Sequence, residues 1–354
     1  MKNCFFLFLG CLLFLFQACK PDFDLNAPYK DVPVVYGILD LTDSIHYIKI
    51  YKGFQSNGNV FVDARNPDSI YYAKDDITVV LQEYEDDKWT GRTIPFVITH
   101  DFPRDSGMFY FDKERIIYRN EYPERLSVDM NYKLRIENKK NGNIVEGTTP
   151  IVGGNFRIKT LPGTPYNMLA KDISVPFSAA KNATNGYEIH VNFKYFEVDK
   201  KTNEVVKIDK IVKNIGPQIG REPEYDQVRD EYSQSFSPTF YDDIAGLLKV
   251  NSSVVRYPGS PDGVNPSSCI EIEGWAAAED LVSFLLSNQP TSSFVQINYK
   301  YTNLTANSLV FGVLSSKTKS PTVVFLPTDA SFDSLVKGSK TRHLGFRPRN
   351  EYKP

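Results

Sequence analysis

The chain has 354 residues, 41% of them hydrophobic and 13% aromatic, with a formal net charge of −2. That much apolar material builds a sizeable core and excludes a disordered chain, and the length allows two or more domains. Lysine and arginine are scattered rather than clustered, which excludes nucleic acid as a partner, because phosphates demand a basic stripe.

The chain opens as an export signal. Met1-Lys2-Asn3 is short and positively charged, and Cys4 to Phe16 is an almost unbroken apolar run. A helix needs about 20 residues to cross a ~30 Å hydrocarbon layer, so this run is too short to span. It has the length of a signal-peptide core. The following Leu15-Phe16-Gln17-Ala18-Cys19 resembles a bacterial lipobox, which assigns residues 1–18 to a signal peptide and makes Cys19 the lipidated first residue. Residues 19–28 then form an acidic linker. In it, Asp22 and Asp24 resemble the short tag that directs Bacteroidota lipoproteins to the outer face of the outer membrane; the periplasmic face is the alternative. Cys4 and Cys11 leave with the signal peptide, so Cys269 is alone and no intrachain disulfide can form. No later apolar run reaches spanning length, which leaves the lipid as the membrane contact.

From residue 29 the periodicity is that of strands. Val32 to Leu39, Ile45 to Tyr51, Ile77 to Tyr84, Pro95 to Thr99, Met108 to Phe111, Tyr132 to Ile136 and Ile144 to Thr149 form a series. Lys140-Asn141-Gly142-Asn143 supplies a hairpin turn. Short strands at this density predict an immunoglobulin-like antiparallel sandwich over 29–152. Pro150 to Gly154 breaks the pattern. Beyond it, residues 153–354 predict a β-rich α+β domain: strands at Ile173 to Phe177, at the long hairpin of Tyr187 to Tyr195 with Val205 to Val212, and at Phe294 to Tyr301, Leu309 to Leu314 and Thr322 to Leu326. Three short helices accompany them. One starts after Ser237-Pro238, one covers Ala276 to Asn288, and one is capped by Thr328 and stopped by Gly338. The whole is mainly β with a few short helices.

One further resemblance lies in Tyr301-Thr302-Asn303-Leu304 and Leu309-Val310-Phe311-Gly312-Val313-Leu314-Ser315-Ser316, with Tyr132-Lys133-Leu134 and Thr148-Thr149-Pro150. These patches resemble the signature of an uncharacterised Bacteroidota lipoprotein family with an N-terminal β-sandwich and a C-terminal mixed domain. The resemblance implies placement in the cell envelope, often with genes for outer-membrane receptors alongside, and implies no chemistry.

Catalytic candidates are thin. The four histidines, His46, His100, His190 and His343, show no helical His-x-x-x-His spacing, and no Gly-x-Ser-x-Gly elbow, dinucleotide fingerprint or spaced aspartate loop is present. Cys269, flanked by strand-like residues, reads as a buried thiol. The paired acids Asp75-Asp76, Asp86-Asp87, Asp242-Asp243 and Glu279-Asp280 read as turn residues or helix first turns. No catalytic residue, metal or cofactor is assigned. Aromatics are more suggestive: Tyr71-Tyr72, Tyr118, Tyr122, Tyr225, Tyr232 and Tyr241 fall in polar stretches, and tyrosine suits protein interfaces and sugar rings alike. Residues 214–238 read as a long surface excursion, which places a partner surface at Arg221, Tyr225, Arg229, Tyr232 and Tyr241. The expected function is a non-enzymatic envelope lipoprotein that binds an outer-membrane or surface protein. A glycan-binding lipoprotein of a polysaccharide-uptake system and a hydrolase without a familiar motif are the alternatives.

Overall fold

The computed structural model describes residues 28–56, 58–100, 116–159, 165–169, 173–183, 185–216, 224–227, 231–236, 239–262, 268–288 and 300–353. Alternation of apolar and polar residues sets most of its strands, because successive side chains leave a strand on opposite faces. Pro33–Asp40 (β1) and Tyr47–Lys52 (β2) bury every second residue. Val60–Asp63 (α1) and Pro67–Ile70 (α2) follow, each one turn long and each capped by an asparagine side chain. Ile77–Glu85 (β3), Lys88–Thr99 (β4), Ile117–Asn120 (β5), Asn131–Asn138 (β6) and Ile144–Pro150 (β7) complete the first half. Asp86 and Asp87 make the two-residue turn of the β3–β4 hairpin, both at positive φ, as a tight turn matched to strand twist requires.

The second half contains Ile173–Phe177 (β8), Tyr187–Asp199 (β9), Val205–Gly216 (β10), Glu224–Asp226 (β11) and Glu231–Phe236 (β12). Phe240–Leu247 (α3), Val254–Pro258 (β13), Ile270–Ala277 (β14) and Glu279–Ser287 (α4) come next. Thr305–Ala306 (β15), Phe311–Lys319 (β16), Val323–Phe325 (β17) and Asp329–Lys337 (α5) follow, and then two 3-10 turns at Arg342–Leu344 and Arg349–Glu351. The molecule is mainly β, as the periodicity predicts. A 14-stranded sheet runs in the order β10-β9-β14-β16-β1-β2-β5-β4-β3-β6-β7-β15, with β13 on β9 and β17 on β14. A second sheet of three strands is ordered β11-β12-β8.

One pairing departs from the antiparallel expectation. β1 lies parallel to β16, with Val34 opposite Phe311 and Asp40 opposite Lys317. Alternation fixes which face a residue takes but not which distant strand it joins, so periodicity could not show this. The strip from β16 to β7 then rolls back on itself. The Asn303 amide donates to Leu314 O at 2.7 Å and to Thr148 O at 3.4 Å, and its Oδ1 accepts from Leu314 N. Ser316 Oγ donates to Pro150 O and accepts from Val152 N. The Tyr301–Ser316 stretch is thus the latch that holds β7 beside β16. Among the described residues, two large cores divide at residues 151 and 152, and a small third one gathers Phe196, Val198, Val255 and Tyr257. Ile151 packs with Val35, Ile48, Leu81, Leu134 and, from the latch, Leu304, Val310 and Leu314. Val152 packs with Phe177, Tyr187, Phe193, Ile272, Phe325 and Leu335.

The start of the described chain is clamped to the first core. Tyr72 Oη donates to Asp31 Oδ1 at 2.6 Å, and the Asn138, Asn141 and Asn143 amides donate to Oδ2. Partial burial pushes the Asp31 carboxyl up, but these four donors outweigh it and hold the group below its ordinary value. A depressed carboxylate contributes stability above its unfolded pKa of about 3.9 and loses it as pH falls through the folded value. Asp31→Ala should therefore cost about 1 kcal/mol at neutral pH, a figure reduced by solvent screening. Urea denaturation should show the gap between wild type and variant closing as pH drops below about 4. A gap unchanged at pH 3 would refute the clamp.

Candidate binding cleft

The outer face of the β9–β14–β16 region carries acids, lysines, a histidine and a tryptophan side by side. In β9, Tyr187, Ile189, Val191, Phe193 and Tyr195 turn into the second core. Their alternates, Glu188, His190, Asn192 and Lys194, therefore face outward. In β14 the outward set is Glu271, Glu273 and Trp275, and across the register Glu273 faces His190 while Trp275 faces Glu188. On its other side Trp275 faces Lys319 of β16. Lys194 pairs with Glu271 and Lys319 with Glu273, both at 2.9 Å, and Glu188 Oε1 lies 3.0 Å from His190 Nε2. The Lys317 and Lys319 ammoniums sit 4.8 and 5.3 Å from the Trp275 ring centroid, within cation–π range.

Helix α4 walls this floor. Ala278 N donates to Ser316 O at its start, Phe284 meets Tyr36 edge-on, and Tyr301 Oη donates to Asp280. Glu279 and Asp280 occupy its first turn, where negative charge favours the helix dipole. Gly186 lets the chain pass close to β14: a Cβ there would lie 2.5 Å from Ala277 O. Between helix and sheet lies a cleft of about 460 Å³, lined by Glu188, His190, Lys210, Glu273, Trp275 and Leu285, among others. That volume lies within the range of small-molecule sites. Beside the cleft, on the same face, the Asn192 side chain is only 1% exposed, yet its amide has no hydrogen-bond partner among the described residues. Leaving such a group unpaired costs about 1–3 kcal/mol.

The residues singled out from sequence are placed differently. Cys19, Asp22, Asp24, Arg221 and Arg229 lie outside the described residues. Tyr225 is 49% exposed, with its ring 5.0 Å from Tyr232. Tyr232 itself stacks on Phe177 and Tyr187, and Tyr241 packs on the core while donating to Ser331 O. Two of the three described tyrosines thus serve packing. The stretch 214–238, expected as an excursion without strands, contributes the end of β10 together with β11 and β12. Its strands are rich in Glu, Ser, Gln and Tyr, so they lack the apolar alternation that marks a half-buried strand. Tyr71, Tyr72 and Tyr118 are buried as well, and Tyr122 is exposed.

The chemical candidates fall as their flanks suggested. Cys269 is fully enclosed, and burial pushes its thiol up to about 12. His46 is buried with Nε2 3.0 Å from Glu124 O, and burial lowers its pKa. The cleft itself was missed because its residues come from five separated segments. The only local signal was that Glu188, His190 and Lys194 form the polar half of an alternating strand. No protein-family model matches the chain, and no curated protein does either.

Proposed function

We propose that this chain is a non-enzymatic binding protein of the bacterial envelope. A lipid on Cys19 holds it at the outer membrane, and Asp22 and Asp24 direct it outward. The observation that carries the binding role is the cleft beside α4, which joins an aliphatic wall, an aromatic plane and a floor of fixed charges. Such a surface suits holding a partner. The resemblance of residues 301–316 to the lipoprotein signature supports a partner among outer-membrane proteins. A glycan is the second reading, favoured by Trp275 beside Glu188 and Glu273, because aromatic planes and carboxylates suit the apolar face and hydroxyls of a sugar ring.

Two experiments test this. Cys19→Ser should move the protein out of the membrane fraction or leave it as unprocessed precursor, whereas normal processing and retention would end the lipid claim. A photo-reactive residue at position 285, in the cleft, should trap a discrete species in living cells. Protease sensitivity of the trapped species identifies a protein partner, and periodate sensitivity a glycan. Position 250, exposed and not among the residues lining the cleft, serves as control. Equal trapping from both positions, or none from 285, would sink the assignment.

A further inference from the structure

Among the described residues the 14-stranded sheet ends on β10, which is hydrogen-bonded to β9 along one side only. Twelve residues at about 3.3 Å each make a long edge, and an edge strand presents unpaired backbone groups ready to pair with another chain. Its inward residues are accounted for: Ile211 is buried in the second core, and Asp209 accepts from Tyr195 Oη. Its outward residues are not. Val206, Ile208 and Val212 are 55%, 59% and 47% exposed, and all three are β-branched and on the same face as Lys210. The small sheet does not cover them. It meets the main body where Tyr232 stacks on Tyr187, at the end of β9 near the Ile189–Gly216 pairing. Isolated exposed aliphatics need no explanation, but Val206 and Ile208 on one side of Lys210 and Val212 on the other give this face two apolar patches flanking one charge.

Charge decides what can cover that face. Lysines stand at 207, 210 and 213. A second copy pairing antiparallel about residue 210 would set Lys207 against Lys213 and Lys210 against itself, and like charges directly opposite are destabilising. In that register the edge disfavours a second copy, a known role of lysine on an edge, and the unpaired Lys210 suits a strand that brings a carboxylate opposite it. Lys207 is already paired with Asp209 on the inner face at 2.6 Å. Lys210 is exposed on the outer face and has no ion-pair partner among the described residues.

We propose that β10 accepts an extended segment of a partner protein as an added strand over Val206 to Val212. The segment carries aliphatic residues beside Ile208 and Val212 and a carboxylate beside Lys210. Backbone pairing gives the affinity, and the side chains give the choice. This surface is separate from whatever fills the cleft, although Lys210 borders both.

The test titrates the detergent-solubilised full chain with three synthetic peptides. One alternates valine with glutamate, one alternates valine with lysine, and the third is the glutamate peptide with a central proline. Wild type should bind the glutamate peptide roughly fivefold more tightly than the lysine peptide, a difference of one cross-strand charge pair. Lys210→Glu should reverse that preference while leaving the far-UV circular dichroism unchanged, since the side chain is exposed. The proline peptide should fail to bind, because it cannot complete the ladder, and amide exchange within 206–212 should slow with the glutamate peptide alone. No binding of the glutamate peptide, equal binding of the proline peptide, or a preference that survives Lys210→Glu overturns the proposal. Cleft crosslinking from position 285 would be unaffected by any of these failures, so the two ideas fail separately.

Discussion

Gly312→Ala should cost about 4 kcal/mol or more and leave little folded protein at 37 °C, a penalty in the exceptional range for a single methyl group. Gly312 sits in β16 opposite Val35 of β1, with φ at +110°, a conformation that side-chain-bearing residues avoid. A Cβ there would meet Val35 O at 1.8 Å and Val35 C at 2.7 Å. Both are backbone atoms of a paired strand, so neither can rotate away as a side-chain tip would. Relief requires β1 and β16 to part, which breaks the parallel pairing that runs from Val34 opposite Phe311 to Asp40 opposite Lys317. Gly91→Ala is the control. That glycine also has positive φ, at +93°, but nothing lies within 4 Å of its Cβ, so only the backbone penalty of roughly 1–2 kcal/mol applies. Urea denaturation of both variants separates the two effects. If Gly312→Ala falls no further than Gly91→Ala, the close approach of β1 and β16 is wrong.

Arg256→Leu should destabilise by about 3–5 kcal/mol, the usual result of removing one partner from a buried ion pair. Arg256 is 3% and Glu197 9% exposed. The guanidinium donates through Nε to Glu197 Oε1 at 2.8 Å, through Nη1 to Leu344 O and through Nη2 to Lys249 O. One side chain thereby ties β13 and β9 to the loop after α3 and to the C-terminal segment, which also pairs with the Arg256 backbone through Gly345 and Arg347. Leucine would leave a buried carboxylate without its cation and two carbonyls without donors. The double variant Glu197→Leu with Arg256→Leu should recover much of the loss, because the stranded charge is gone and similar volume remains. A double-mutant cycle reads the coupling directly. Additive losses would show that Glu197 is solvated in another way.

Much of this fold is legible in the sequence, and the reason is local. In Tyr187 to Tyr195 every second residue is apolar because one face meets a core, and the strand lies where alternation places it. Thr328 reads as a helix cap because its hydroxyl can accept from Ser331 N, and it does so. The acids at 242–243 and 279–280 fall in helix first turns. What stays hidden is long-range or polar. Nothing in Pro33–Asp40 announces a neighbour at Phe311–Lys319, and the strand at Glu231–Phe236 carries too few apolar residues to declare itself. The cleft combines both difficulties. Trp275, His190, Lys210 and Leu285 acquire a shared role only once β10, β9, β14 and α4 are side by side, and the tyrosines that composition brings forward are largely spent on packing.

The pairing of β1 with β16 also bears on how the chain reaches its folded state. Folding slows as the sequence separation of contacting residues grows, because the ends of long loops must be brought together before any contact stabilises them. Here the first strand to emerge during synthesis waits for nearly the last: Val34 has no β16 partner until Phe311 exists. Leu304, Val310 and Leu314 are missing from the first core for the same interval. The N-terminal half therefore stays incomplete throughout elongation, with β1 lacking its parallel neighbour and β7 lacking its latch. Completion of the first core is thus set by the arrival of residues 304 to 314, so the order of synthesis and the order of assembly run in opposite senses at this seam.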